Sequence, residues 1–176
     1  MIEVELRSFL TEEEYERLLR YFDDHDIKED KQESWYFDTE EDLRILRGED
    51  AAKIWLKRGK MHDEFREEIE IPLKKKDFEK MHNILATIGH KVNIKWQRTR
   101  KQCEWDGVKV CIDHTQGYGY ILELEKLCKE EDQEVALEEL HTRLRKLGIK
   151  LTPKEEFDKA YERYANTWQE HFEGFY

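Results

Sequence analysis

Strand after strand in this chain sets charge on one side and apolar bulk on the other. In the first segment Ile2, Val4 and Leu6 alternate with Glu3, Glu5 and Arg7, the period of two that a β-strand imposes on its faces. The charged face recurs at Arg44, at Lys53 and Lys57, at Arg66, Glu68 and Glu70, at Arg98 and Arg100, at Lys109 and Asp113, and at Glu123 and Glu125. In the strand around Arg66 the apolar side holds Phe65, Ile69 and Ile71, interrupted by Glu67. A chain so patterned must bury one face of many strands and find a use for the other.

The elements are punctuated clearly. Trp35 to Phe37, Leu43 to Leu46, Ala52 to Lys57 and Phe65 to Ile71, separated by Arg47 to Asp50 and Arg58 to Asp63, read as an antiparallel meander. Val92 to Gln102, Val108 to Asp113 across an Asp106-Gly107 turn, and Tyr120 to Glu125 add three strands. The spacing predicts four helices. Thr11 and Glu14 form a capping box ahead of Tyr15, Leu18, Leu19 and Phe22, and Asp77 is placed as N-cap to a stripe from Phe78 to Ile88 ended by Gly89. A third helix carries Val135, Leu140, Leu144 and Leu147, and Thr152-Pro153 opens a fourth with Phe157, Tyr161, Tyr164 and Trp168. Asp23 to Glu33 reads as a polar connection, and the tail after Trp168 carries no signal.

Composition narrows the function classes. A formal charge of −11 argues against duplex DNA as partner. No apolar run reaches the ~18 residues of a bilayer span, and the start is unlike a signal peptide. A cytoplasmic protein without membrane or DNA partners is expected, as one domain over 1–176, with strands to about 125 and C-terminal helices over about 132–168. Cys103, Cys111 and Cys128 have no metal-ligand spacing and read as reduced thiols.

Solvated faces are the bland explanation of any single charged strand. Seven such strands with only four helices to cover their apolar sides fit another arrangement, in which the helices pack outside and the charged faces line a hydrated interior. Carboxylates suit hard divalent cations, and Arg and Lys suit phosphate oxygens. Such an interior fits an anionic phosphate ligand with bound metal.

The ordered set Glu3-Val4-Glu5-Leu6-Arg7, Tyr36-Phe37-Asp38-Thr39, Leu43-Arg44-Ile45, Leu56-Lys57, Arg66-Glu67-Glu68-Ile69-Glu70, Arg98-Thr99-Arg100, Ile112-Asp113 and Gly119 to Glu125 resembles the CYTH domains, also called triphosphate tunnel metalloenzymes. The resemblance covers roughly residues 1 to 165. It implies an α+β fold with a closed eight-stranded antiparallel barrel, helices packed outside, and a triphosphate threaded through with Mg²⁺ or Mn²⁺. By position it makes Glu3, Glu5, Glu123 and Glu125 metal ligands, with Glu68 and Glu70 completing the set. Asp113 would bind metal or orient an attacking water, so Glu3, Glu5 and Asp113 form the catalytic group. Arg7, Arg44, Lys57, Arg66, Arg98 and Arg100 would clamp phosphates.

Three positions depart from the family's pattern. Arg7 replaces the usual Lys, Ser34 stands two residues before Tyr36 where Asp is common, and Leu46 falls where a second Arg is common, which leaves either a thinner clamp or Arg47 as a substitute. Family membership leaves the reaction open. Hydrolysis of tripolyphosphate, a nucleoside triphosphate or thiamine triphosphate is preferred. Class IV adenylyl cyclase chemistry on ATP and a non-catalytic polyphosphate- or nucleotide-binding module are the alternatives, and a homodimer is left open. Of the seven histidines only His114, beside Asp113, merits a test, and Trp55 and Trp96 read first as packing residues.

Overall fold

The computed structural model describes residues 2–59 and 64–176, so the turn expected over Arg58 to Asp63 lies partly outside the described residues, as does His62. Eight strands are present: β1 (Ile2–Leu10), β2 (Lys28–Phe37), β3 (Asp42–Arg47), β4 (Ala52–Arg58), β5 (Phe65–Leu73), β6 (Val92–Trp105), β7 (Val108–Thr115) and β8 (Gly119–Cys128). They close into one antiparallel barrel in the order β1-β5-β4-β3-β2-β6-β7-β8. Helices α1 (Glu12–Tyr21), α2 (Phe78–Thr87), α3 (Gln133–Lys146) and α4 (Lys154–His171) complete the α+β fold.

The apolar core lies outside the barrel wall. Val4 and Leu6 of β1, Val110 and Ile112 of β7 and Leu122 and Leu124 of β8 are buried with Leu18 of α1 and Leu140 and Leu144 of α3. Each such side chain contributes about 1.5–3 kcal/mol on burial, which fixes the register, because a one-residue slip would turn the charged face onto the helices. Phe78 and Leu85 of α2 cover Trp35, Phe37 and Ile45 in the same way. Tyr164 of α4 packs on Tyr36, Ile94 and Trp96 at one end of the barrel. The middle of β5 is left open: Ile69 and Ile71 are 43% and 57% exposed on the side expected to be buried, while Leu73 at its end packs against the α2 cluster.

The Thr11–Glu14 capping box forms with both reciprocal bonds, and Asp106 and Gly107 turn the β6–β7 hairpin with φ of 48° and 80°. The expected Asp77 cap does not form, and Thr152 does not cap α4. The Asp77 carboxylate accepts from Lys80 Nζ at 2.7 Å, and the Thr152 hydroxyl accepts from the Phe9 amide at 2.9 Å, tying the start of α4 to β1. The polar stretch Lys28 to Glu33 is strand, paired with β6 from Lys28↔Gln102 to Glu33↔Gln97. Gln32 faces the charged interior, so this half of β2 has no apolar face to give it away.

The tail beyond Trp168, silent in the sequence, is docked. Gln97 Oε1 accepts from the amides of Glu173 (3.1 Å) and Gly174 (2.9 Å), and Glu33 Oε1 accepts from those of Phe175 and Tyr176. Glu33 is fully buried, and Arg47 Nε donates to its other oxygen at 2.9 Å. Glu33→Ala removes the acceptor for two amides and an arginine at once, and should destabilise the fold by about 2–4 kcal/mol. Urea denaturation reads this, and a loss under about 0.5 kcal/mol would show that the tail is not held there.

Candidate active site in the barrel interior

Alternation along the strands turns the charged residues inward around a cavity of about 830 Å³, a volume suited to a small-molecule ligand. Glu3, Glu5 and Arg7 enter from β1, Arg44 from β3, Lys57 from β4, Glu68 and Glu70 from β5, Arg98 and Arg100 from β6, and Glu123 and Glu125 from β8. Arg66 and Asp113 share the inward faces of β5 and β7 but do not reach the cavity surface. Phe157 and Tyr161 of α4 join Tyr36, Trp96 and Tyr118 in an aromatic lining toward one end, while Lys53, Glu70, Glu104, Lys109 and Lys126 line the other. Trp55 and Trp96 are therefore both packed and cavity-facing.

Like charges meet on two adjoining strands. Glu5 of β1 stands directly opposite Glu125 of β8, and Arg7 opposite Glu123. Two carboxylates so paired repel, and a cation nearby relieves them. On one side Lys57 Nζ serves: it lies 2.5 Å from Glu3, 3.6 Å from Glu68 and 3.9 Å from Glu5. On the other side Lys109 reaches Glu125 at 2.6 Å, and Glu123 and Glu125 share with the Cys111 thiol a set of ligand atoms within 4.8 Å of one another. The carboxylate oxygens of Glu123 and Glu125 suit a hard divalent ion, whereas the Cys111 thiol, which burial pushes up, is a soft donor.

The adjoining wall is arginine. Arg100 Nε donates to Asp113 at 2.9 Å, and its NH2 donates to Asp113 at 2.6 Å and to Glu123. Arg98 NH1 reaches Asp113 at 3.2 Å while its Nε donates to Gln32 at 2.9 Å. Both oxygens of Asp113, 1% exposed, are thus taken by arginines. Arg7 pairs with Glu5.

Burial raises the Glu3 carboxyl above its ordinary value, against Lys57, with Glu68 and Glu5 adding to the rise. Burial would also lower the Lys57 ammonium, but Glu5 and Glu3 outweigh it and the group is raised. Glu123 is held far below the usual carboxylate range, since Arg100, Arg98, Arg7 and Lys57 overcome its burial. At Lys57 and Glu123 neighbouring opposite charges outweigh burial, whereas at Glu3 burial prevails.

Two further residues lie off the cavity, Arg47 against its suggested role as a substitute clamp and His114 in keeping with a structural reading. Arg47 points outward, to Glu33 and Glu79, and is no substitute clamp. His114 stacks on Tyr120 at 4.6 Å, away from the cavity lining. Asp42, which the sequence reading passed over, is buried beside Arg44 and Arg66. Its parity with Arg44, two residues on, was the available signal.

A closed antiparallel barrel with its charge inside and its apolar core outside is the architecture of the tunnel proteins that handle phosphate chains. Residues 1–157 match the CYTH domain family, and the chain belongs to it. It is 33% identical over 135 residues to a Methanocaldococcus jannaschii protein described as "putative adenylate cyclase", covering 70% of this chain and 75% of that one. A Pyrococcus horikoshii OT3 structure matches with a TM-score of 0.74 and 27% identity over 85% of this chain and 92% of its own. A Hippeastrum adenylyl cyclase homologue described as having a dominant triphosphatase activity shares the fold, with a TM-score of 0.65 and 19% identity over 92% and 95% of the two chains. Among the described residues no helix is long and apolar enough to cross a membrane.

Proposed function

We propose that residues 1–176 form one CYTH-type domain that hydrolyses a triphosphate with Mg²⁺ or Mn²⁺ in the barrel interior. The observation that carries this reading is the facing Glu5–Glu125 pair beside an arginine wall inside one cavity. Glu3, Glu5, Glu123 and Glu125, with Glu68 and Glu70 on the adjoining strand, are the residues to hold the metal. When bound, a divalent ion neutralises phosphate oxygens and orients the chain.

The protein's own groups do the rest by position and charge. Arg7, Arg44, Lys57, Arg98 and Arg100 face the phosphates and stabilise charge that builds on the leaving group, the main demand of phosphoryl transfer. Arg7 is always protonated, so it supplies charge and hydrogen bonds and no proton transfer. Asp113, with both oxygens on Arg100 and Arg98, holds the wall in place.

Adenylyl cyclase chemistry is the second reading, favoured by the name of the 33% identical relative and by the aromatic lining at Trp96, Tyr118 and Tyr161, which could stack a base. Incubation with Mn²⁺ or Mg²⁺ and either tripolyphosphate or ATP, resolving phosphate, pyrophosphate and cyclic AMP, separates the two. Metal-dependent phosphate release from tripolyphosphate without cyclic AMP from ATP is expected. Cyclic AMP with equimolar pyrophosphate would establish the cyclase instead, and binding without turnover of either would leave a binding module.

A further inference from the structure

Arg44 is anchored through all three of its guanidinium nitrogens. Its Nε donates to Asp42 Oδ1 at 3.0 Å and its NH2 to Asp42 Oδ2, so one carboxylate grips one edge of the guanidinium. Its NH1 donates to the Tyr36 hydroxyl at 2.7 Å. The plane is sandwiched, with Cζ 4.5 Å from the Tyr36 ring centroid and 4.4 Å from that of Trp55. Of five N–H donors, three are engaged. The remaining two, one on each terminal nitrogen, have no hydrogen-bond partner among the described residues, and N–H groups on a charged guanidinium are strong donors to phosphate oxygens.

Arg66 completes the arrangement from behind. Its NH2 donates to Asp42 Oδ2 at 2.8 Å and to the Lys57 carbonyl at 3.4 Å, and it does not line the cavity. Asp42 is therefore a buried anion between two arginines, only one of which can touch a ligand. Its carboxyl is held below its ordinary value, Arg44 and Arg66 together outweighing burial, which raises it.

We propose that Asp42 is a positioning residue that presents the free edge of Arg44 to a phosphate, and that Arg66 acts as the counter-ion of Asp42 and makes no contact with the substrate. The inference rests on the triphosphate reading above and deepens it. With the guanidinium fixed on one edge and both faces, little side-chain freedom remains to be lost when the ligand binds. Arg66 thereby leaves the phosphate clamp in which the sequence resemblance places it.

A double-mutant cycle tests this, with tripolyphosphate and ATP as probes, binding read by calorimetry without metal, and KM and kcat read with Mn²⁺. Asp42→Asn keeps the shape and removes the bidentate grip, and should weaken tripolyphosphate binding about tenfold by loosening one charge-assisted contact. Arg44→Met should cost at least as much, and Asp42→Asn should add little in the Arg44→Met background. Arg66→Met should weaken binding only while Asp42 is present. Tyr36→Phe, which removes one anchor and leaves the ion pairs, supplies a milder variant if Asp42→Asn does not fold, and its effect should likewise vanish in the Arg44→Met background.

Independent effects of Asp42 and Arg44, or an Arg66→Met loss that persists in Asp42→Asn, would overturn the proposal and leave the triphosphate reading standing. A change in thermal midpoint with unchanged binding would reduce Asp42 to a structural ion. A wild-type protein that binds neither probe would remove the triphosphate reading and this inference with it.

Discussion

Glu3 and Glu5, replaced together by Gln, should leave a folded barrel whose metal-dependent turnover of a triphosphate is reduced about a thousandfold or more. A bound divalent ion provides several kcal/mol of charge neutralisation to a phosphoryl transition state, and each ~1.4 kcal/mol is tenfold in rate. Gln preserves the shape and one acceptor oxygen but cannot supply the anionic oxygens a hard cation selects. Lys57 keeps Glu68 at 3.6 Å, so its ammonium stays partly compensated and the fold should survive with about 1–3 kcal/mol lost. Steady-state rates across a Mn²⁺ titration provide the check. A double variant with the wild-type rate and the wild-type Mn²⁺ dependence would place the metal elsewhere.

Asp113 has the largest expected effect on stability. It is 1% exposed and accepts from Arg100 and Arg98, and Asp113→Ala strips both of their shared anion. Removing one partner from a buried charge cluster costs about 3–5 kcal/mol, which in a chain of this size is a fall in thermal midpoint on the order of 10 °C. Asp113→Asn, which retains an acceptor for Arg100, should lose roughly half as much. Circular dichroism melts compare the three proteins. An alanine variant within about 1 kcal/mol of wild type would mean that Glu123 and Glu125 alone satisfy Arg100, to which they lie close already.

What was legible in the sequence is what local physics controls. The alternation at Glu3, Glu5 and Arg7 survives intact because Val4 and Leu6 must face the helices. The Thr11–Glu14 box and the Asp106-Gly107 turn are set by neighbours in the chain. The first half of β2 was illegible because Gln32 faces a charged interior and Glu29 and Lys31 face solvent, so neither side is apolar.

Parity explains the reassignments inside the barrel. Arg44 and Leu46 point inward, so Arg47 must point out, and Asp42 must join Arg44 inside. The docking of residues 173–176 has no such local rule. It depends on Glu33 and Gln97 meeting across β2 and β6, a pairing fixed only when the barrel closes.

The proposed chemistry requires metal and phosphate to sit together inside the barrel. A crystal structure of the protein with Mn²⁺ and tripolyphosphate, the ion located by its anomalous scattering, tests it most directly. Manganese on the carboxylates of Glu3, Glu5, Glu123 or Glu125, with phosphate oxygens on Arg44 and on Arg98 or Arg100, is the expected result. Phosphate and manganese bound on the outer surface, with the interior ion pairs unchanged, would contradict it.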